Sequence, residues 1–275
     1  MAILTIAREL GAWTTAASQM LAARFEGALF DRNSIQECLR AEGVDDALIA
    51  RYDERKPGFF SALSADQEVF MLHLKTALLK AAAAKSIVIL GRGGHVLMED
   101  IPNCLRLRLI APEKVRLERV MAEFKCDEES ARRLMRKSDA DRAGFCRFHF
   151  NSDWADPGCY DLVLNTEKLG DTDLVEHILW LSSHYFTPAQ EAKAREVIAH
   201  RLLGQHVVTH LLVDRKLPLV FIEADVEGDG VVTLRGAASV HDIAKKAVQA
   251  AKEVEGVKEV RNRIRVAVEL AHTRI

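Results

Sequence analysis

Residues Ser86–Gly94 read SIVILGRGG. Ile87, Val88, Ile89 and Leu90 follow one another without a polar interruption, the pattern of a strand covered on both faces inside a parallel sheet. The run passes directly into Gly91-Arg92-Gly93-Gly94. A single charged side chain, Arg92, therefore stands at the carboxyl end of the strand, where α/β sheets place their ligands, among glycines that let a ligand come close to the backbone.

The same alternation of short strands and helices extends in both directions. Upstream, Ala2–Ala7 (AILTIA) is a second apolar run, followed by Gly11 and a helical pattern over Thr15–Phe25. Gly27–Phe30 leads to Asp31-Arg32-Asn33 and a helical Ser34–Arg40, and Phe59–Ala84 is a long helical stretch without Gly or Pro. Downstream, Leu105–Ile110 (LRLRLI) alternates strictly and stops at Ala111-Pro112. Helices are predicted over Glu113–Phe124 and Asp127–Phe148, then a strand over Tyr160–Asn165 and a helix over Leu174–Tyr185. Such alternation implies an α/β fold, a parallel sheet with helices on both faces.

After Tyr185 the pattern changes. Pro188 lies in a short polar stretch and marks a boundary, predicting a first domain over 1–187 and a second over 188–275. The second contains a helix (Glu191–Leu203), an alternating strand (Val220, Ile222, Ala224, Val226) and a hairpin signal at Gly228-Asp229-Gly230. A return strand over Val231–Gly236, a helix over Val240–Val254 and a last strand alternating Ile264, Val266 and Val268 complete a small α+β unit.

Composition excludes several classes. The 275 residues carry 38 Lys and Arg against 40 Asp and Glu, a net charge of −2 that argues against a generally basic nucleic-acid binder. No apolar run approaches the roughly 20 residues that span a bilayer. Met1–Leu10 places Arg8 and Glu9 directly after its apolar stretch, unlike a signal peptide. Five cysteines, none in a C-x-x-C pair, give neither a complete disulfide framework nor a zinc ribbon, and fit reduced thiols in a soluble cytoplasmic protein. His206 and His210 have i,i+4 spacing but no nearby carboxylate motif, so no metal site is assigned.

A strand, a glycine-containing turn and a helix at the N-terminus is where nucleotide-binding α/β proteins hold phosphates, on the N–H groups and dipole of the helix start. The pattern G-x-x-x-x-G-K-[ST] is absent; Arg8-Glu9-Leu10-Gly11-Ala12-Trp13-Thr14-Thr15 stands in its place. Between Arg132 and Phe148 lie six basic and two acidic residues, and Arg132, Arg136 and Asp139 share one helical side, with Arg142 one turn further. Such a helix suits a lid over phosphates, since the guanidinium fork grips phosphate oxygens in pairs. It is also read as a solvated charged face. Asp31 and Asn33 are candidate N-caps of the next helix. Arg116 and Arg119, three apart, are expected on a helix surface, and Asp161 at a strand edge.

Taken in order, I-A-R-E-x-G (Ile6–Gly11), D-R-N (Asp31–Asn33), V-I-L-G-R-G (Val88–Gly93), A-P-E-K-V-R-L-E-R (Ala111–Arg119), D-A-D-R-A (Asp139–Ala143) and D-P-G-C-Y-D-L-V-L-N-T (Asp156–Thr166) resemble the cytidylate-kinase-like family. The resemblance covers about residues 1–185. It implies a P-loop nucleoside-monophosphate-kinase fold, with ATP and Mg²⁺ as donor and a pyrimidine monophosphate as acceptor. Gly11, Ala12, Thr14 and Thr15 would then hold the donor, Asp31, Arg92 and Asp139 the acceptor, and Arg132, Arg136 and Arg142 the moving phosphoryl group. The first loop departs from the family pattern R-E-x-G-S-G-G: only Gly11 of three glycines remains, and Trp13 is expected to put a large side chain where a nucleotide belongs. An active kinase, a nucleotide-binding domain without turnover and a structural relic are all compatible with that loop.

Residues from about 190 to 275 resemble a BON domain, through G-D-G-V-V-T-L-R-G (Gly228–Gly236) and V-E-G-V-K-E-V-R-N-R-I-R-V (Val254–Val266). This implies a binding role toward a protein or an anionic phospholipid surface. Arg261, Arg263 and Arg265 alternate onto one strand face.

Overall fold

The computed structural model describes residues 1–52 and 65–266. The 59–64 part of the predicted long helix and Val268 of the last strand lie outside the described residues. The chain divides into two compact units, one of Met1–Gln67 with Ala81–Ala194, the other of Glu68–Lys80 with Arg195–Ile275.

The first unit is built on five parallel strands: β1 (Ile3–Arg8), β2 (Ala28–Phe30), β3 (Ile87–Leu90), β4 (Cys104–Ile110) and β5 (Leu162–Asn165), in the order β2-β3-β1-β4-β5. β1 pairs in register with β3 (Ile3 with Ile87) and β4 (Ile3 with Cys104), so all five carboxyl ends open at the same edge. Ile87–Leu90 are all buried, as an uninterrupted apolar run requires. Leu105, Leu107 and Leu109 enter one core with Leu4, Ile6 and Val88. That core is covered by Ala17 and Leu21 of α1 (Thr15–Arg24) and by Leu174, Val175 and Ile178 of α8 (Asp171–Tyr185).

The helices between these strands are set by their caps. α2 (Arg32–Ala41) starts two residues before the predicted Ser34 because Asp31 caps it, accepting from Asn33 and Ser34 N–H groups while Ser34 Oγ returns to the Asp31 N–H. α3 (Asp46–Tyr52), α4 (Ala65–Ala84) and a single turn, α5 (Gly94–Leu97), follow. α6 (Glu113–Phe124) packs on α7 (Glu128–Phe150) through Leu117, Val120, Ala131 and Met135. α7 is capped by Asp127 on the Ser130 N–H, has Glu128 and Glu129 in its first turn and Arg147 in its last, and so is polarised along its own dipole.

α9 (Pro188–Thr209) is capped by Thr187, which accepts from the Gln190 N–H while Gln190 Oε1 accepts from the Thr187 N–H. This reciprocal box places Pro188 at the first helical position, where its missing N–H costs nothing. In the second unit β6 (Leu219–Glu227) runs antiparallel to β7 (Val231–Ala238), and β8 (Glu259–Val266) lies parallel to β7. α10 (His241–Ala251) covers the sheet, with Ala244, Ala247 and Ala251 packed on Val232, Leu234 and Ile264.

Candidate functional site

The loop leaving β1 is held from behind by side chains that arrive from other strand ends. Gly11 has φ +85°, and a Cβ placed there would lie 2.6 Å from the Arg116 carbonyl oxygen, so only glycine fits between the loop and α6. Arg119 donates to the Gly11 carbonyl (3.3 Å), to Thr166 Oγ1 (2.9 Å) and to the Thr166 carbonyl (2.8 Å). Thr166, directly after β5, donates its hydroxyl to the Ala12 carbonyl at 2.8 Å. In a trans peptide the N–H points opposite to the C=O. Fixing the Ala12 carbonyl against Thr166 therefore aims the Trp13 N–H away from that clamp.

Trp13 itself is buried, in the core with Ala17, Leu21 and Val175, and its Nε1–H donates to Ser18 Oγ. The expectation that the indole occupies a nucleotide's place is corrected: the apolar ring gains more by joining the core beneath the loop. Thr14 caps α1, accepting from the Ala17 N–H (3.0 Å) and donating to Asp171 Oδ2 (2.6 Å). Thr15 is exposed, its hydroxyl 3.4 Å from Glu123 Oε1.

The charged part of the site lies on the flank of this loop. The Leu10 N–H donates to Asp139 Oδ1 at 3.0 Å, Arg116 Nη2 donates to Asp139 Oδ2, and Arg142 Nη1 lies 3.5 Å from Oδ1. Arg116 also donates through Nε to the Leu10 carbonyl (2.8 Å) and pairs with Glu9 at 3.2 Å. Glu9 in turn lies 3.5 Å from Arg108. Arg116 is buried, which corrects its expected place on a helix surface: the loop backbone and two carboxylates supply the partners that a buried guanidinium needs.

Arg92 and Asp31 form a second group, at the ends of β3 and β2. Arg92 is 1% exposed and has φ +54°. Burial pulls its guanidinium down to about 9, Arg32 pulls the same way, and Asp31 opposes them, so the side chain stays cationic at neutral pH. Gly93 lies under Phe150, the last residue of α7, so close that a Cβ at Gly93 would overlap the ring. Beside this turn His95 stacks on Tyr160 with centroids 4.7 Å apart, and the Tyr160 hydroxyl donates to the Trp154 carbonyl at 2.9 Å. Arg108 covers the Trp154 ring at 4.2 Å. Burial, helped by Arg106 and Arg108, pulls His95 down to about 4, so it is neutral at pH 7.

Gly11, Ala12, Thr14, Asp139 and Arg142 thus come together around one loop, while Asp31 and Arg92 sit together at the neighbouring strand ends. Arg132 and Arg136 do not join them. Arg132 pairs with Glu128 and Glu113 on the outer side of the α6–α7 pair, beside a cavity of about 450 Å³ lined by Leu117 and Met121, and Arg136 is exposed. Asp161 is bound to Arg106 at 2.8 Å along the sheet edge. Sequence reasoning missed Glu9, Arg108, Arg119 and Thr166 as parts of the site. The available signal was their position at the carboxyl ends of predicted strands, or on the helix that follows one.

Five parallel strands in the order β2-β3-β1-β4-β5, with a tight glycine-containing turn between β1 and α1, define an α/β fold of the P-loop kinase class. The chain belongs to the cytidylate kinase-like family, whose model matches residues 3–168, and residues 202–268 match the BON domain. It is 28% identical over 179 residues to a cytidylate kinase of Methanosarcina barkeri (strain Fusaro / DSM 804), covering 63% of this chain and 92% of that protein. A cytidylate kinase of Methanoregula boonei (strain DSM 21154 / JCM 14090 / 6A8) is 23% identical over 173 residues, 62% of this chain and 88% of that protein. The crystal structure of an uncharacterized protein from Eubacterium ventriosum ATCC 27560 shares the fold, with a TM-score of 0.53 at 21% identity over 66% of this chain and 99% of that one.

The family implies ATP and Mg²⁺, and the donor set around the first loop fits an anion. A main-chain N–H and two guanidinium groups converge on one carboxylate, a donor set of the kind that binds anions. Among the described residues no group of three or more His, Cys, Asp or Glu is placed to hold a metal ion. Mg²⁺ in nucleotide sites is carried largely by the phosphates and water. Among the described residues, no helix is long and apolar enough to cross a membrane.

Proposed function

We propose that the first unit transfers the terminal phosphoryl group of ATP to a nucleoside monophosphate, with a pyrimidine nucleotide as acceptor. The observation that carries this reading is the convergence, at one edge of a parallel sheet, of the loop after β1, whose Leu10 N–H binds a carboxylate, and of buried Arg92 beside Asp31 after β3 and β2. Two nucleotides held in line with their charge neutralised are what phosphoryl transfer asks of a protein. Gly11, Ala12, Thr14 and Thr15 with Arg116 would hold the donor phosphates. Arg92 and Asp31 would hold the acceptor, and Arg142 would meet the moving group. Bound Mg²⁺ would supply further neutralisation of the phosphate charge. The choice of a pyrimidine rests on the family match and on the two relatives named cytidylate kinase.

Arg92 is 1% exposed and Phe150, at the end of α7, lies over the neighbouring Gly93, so this reading requires the cover of Arg92 to open before an acceptor reaches it. Arg132 and Arg136 would reach a phosphate only through a larger movement of the same helix.

A coupled ADP-release assay with ATP-Mg²⁺ and each of CMP, dCMP, UMP and AMP tests the reading. Acceptor-dependent turnover, greatest with the cytidine nucleotides, is expected. Flat traces with all four, and no thermal shift from any nucleotide, overturn it. A second reading, nucleotide binding without turnover, is favoured by the carboxylate on the Leu10 N–H, and binding with flat traces selects it. For the second unit we propose an anionic partner, protein or phospholipid surface, meeting Arg263 and Arg265 on the exposed face of β8. A cytoplasmic location accords with both roles.

A further inference from the structure

We propose that the Leu10 N–H, Arg116 and Arg142 form an anion seat on the flank of the first loop, that the Asp139 carboxylate fills it in the resting chain, and that a polyphosphate enters by displacing that carboxylate. The proposal rests on the nucleotide reading above and adds to it a residue that controls access.

The seat is assembled from three separate elements. Leu10 comes from the loop after β1, Arg116 from the first turns of α6, and Arg142 from the middle of α7. Their donors meet on the two oxygens of a single carboxylate, an arrangement that suits a phosphate equally well because guanidinium and main-chain N–H groups bind both anions in the same geometry. Two of the three donors keep their places without Asp139. Arg116 is fixed independently by the Leu10 carbonyl at 2.8 Å and by Glu9 at 3.2 Å, and Leu10 is fixed by that same bond to Arg116. Asp139 can thus leave while the Leu10 N–H and Arg116 keep their places.

Exposure and charge point the same way. The side chains of Asp139, Arg116 and Arg142 are 22%, 11% and 16% exposed, so the seat is dry enough for charges to act strongly yet open to solvent on one side. Among the described residues, Arg108, Arg116 and Arg142 form ion pairs here with two carboxylates, Glu9 and Asp139. A polyphosphate brings more negative charge to these cations than the single carboxylate it replaces. The displaced Asp139 turns toward water beside Ala140, which is exposed. Asp139 then tunes affinity for the donor rather than holding the acceptor.

The test is a calorimetric titration of the full-length protein with inorganic triphosphate in Mg²⁺, using the wild type, Asp139→Asn, Asp139→Ala and the double variant Asp139→Ala/Arg116→Met. Both single variants should bind triphosphate about tenfold more tightly or better, and the double variant should lose the gain. In the unmutated protein, the ¹⁵N resonance of the Leu10 amide should shift as triphosphate is added. Equal or weaker binding by Asp139→Asn and Asp139→Ala, with melting curves like the wild type, overturns the proposal. An unmoved Leu10 resonance at triphosphate saturation overturns it even where the variants fail to fold. Tighter triphosphate binding without acceptor-dependent turnover supports the seat and counts against the kinase reading. Turnover in the wild type without tightening in the variants does the reverse.

Discussion

The indole Nε1–H of Trp13 donates to the hydroxyl of Ser18, five residues on and one turn into α1, and this bond turns the ring down into the core. The loop is therefore shaped from below by an aromatic residue that its sequence pattern would place on top. Ser18 is itself buried, and its hydroxyl also reaches the Thr14 carbonyl at 3.1 Å, so the indole N–H is satisfied where a polar atom left alone would be costly.

Trp13→Gly follows from that packing. Removing a buried indole among Ala17, Leu21 and Val175 should cost about 3–5 kcal/mol of stability. Nucleotide affinity should not rise, because the ring does not stand above the loop. Urea unfolding and a nucleotide titration of the same sample check both parts. A gain in affinity with stability unchanged would refute this placement of the ring.

The clamp on the loop carbonyls makes a second prediction. Arg119 holds three oxygens with one planar fork, so Arg119→Lys should behave like Arg119→Met in raising KM for ATP by about tenfold or more, since a lysine cannot span them. Thr166→Ser should keep KM near the wild-type value and Thr166→Val should raise it, because only the hydroxyl reaches Ala12. Rescue by Ser but not by Val separates a positioning role from simple filling of space.

His95 predicts a pH dependence. Its folded form takes a proton only near pH 4, against an ordinary value of 6.5, because burial disfavours the imidazolium. Between those values the unfolded chain binds more protons than the folded one, so stability is complete above about pH 6.5 and falls as the pH drops toward 4. The loss attributable to His95 should approach about 3 kcal/mol at pH 4. His149, also pulled down to about 4 by burial, contributes in the same direction. Denaturant midpoints at pH 7, 6 and 5 should decline, and His95→Phe should flatten the decline. A profile that stays level from pH 7 to 5 contradicts this account.

Asp31 serves a cap and is proposed to meet the acceptor, and two substitutions separate these roles. Asp31→Ala removes the reciprocal bonds with Ser34 and should cost about 1 kcal/mol. Asp31→Asn keeps a capping oxygen and should leave the melting temperature nearly unchanged. It should still raise KM for the nucleoside monophosphate, because it removes the charge that supports Arg92. An Asn variant with wild-type KM would leave Asp31 with the cap alone.

The strands and their parallel arrangement were legible because each is a local signal: an apolar run such as Ile87–Leu90, or an alternation such as Leu105–Ile110, closed by a glycine or a proline. The edges of helices were less so. Asp31 extends α2 toward the N-terminus through a side-chain bond, and α9 runs to Thr209 where the sequence suggested Leu203. The candidate groupings were legible where residues lie in glycine-rich or charged clusters, as Gly11, Arg92 and Asp139 do. It was illegible where function depends on where a side chain lands. Arg116 and Arg132 look alike on their helices, yet one reaches the loop backbone and the other pairs with surface glutamates. Arg108 alternates like an exposed residue, but Trp154 from a distant turn covers it.

The second unit draws a piece of its body from far upstream. Leu72, in the Glu68–Lys80 part of α4, belongs to the same core as Val232, Leu234 and Ile264. During synthesis from the N-terminus this helical segment leaves the ribosome long before β6, β7 and β8 exist to receive its leucine. The first unit can complete its sheet once β5 has emerged, whereas the second must wait until β8 has been made. Leu72 is then an early-made residue with a late partner, and during the interval between the two its apolar side chain lacks the core that later covers it.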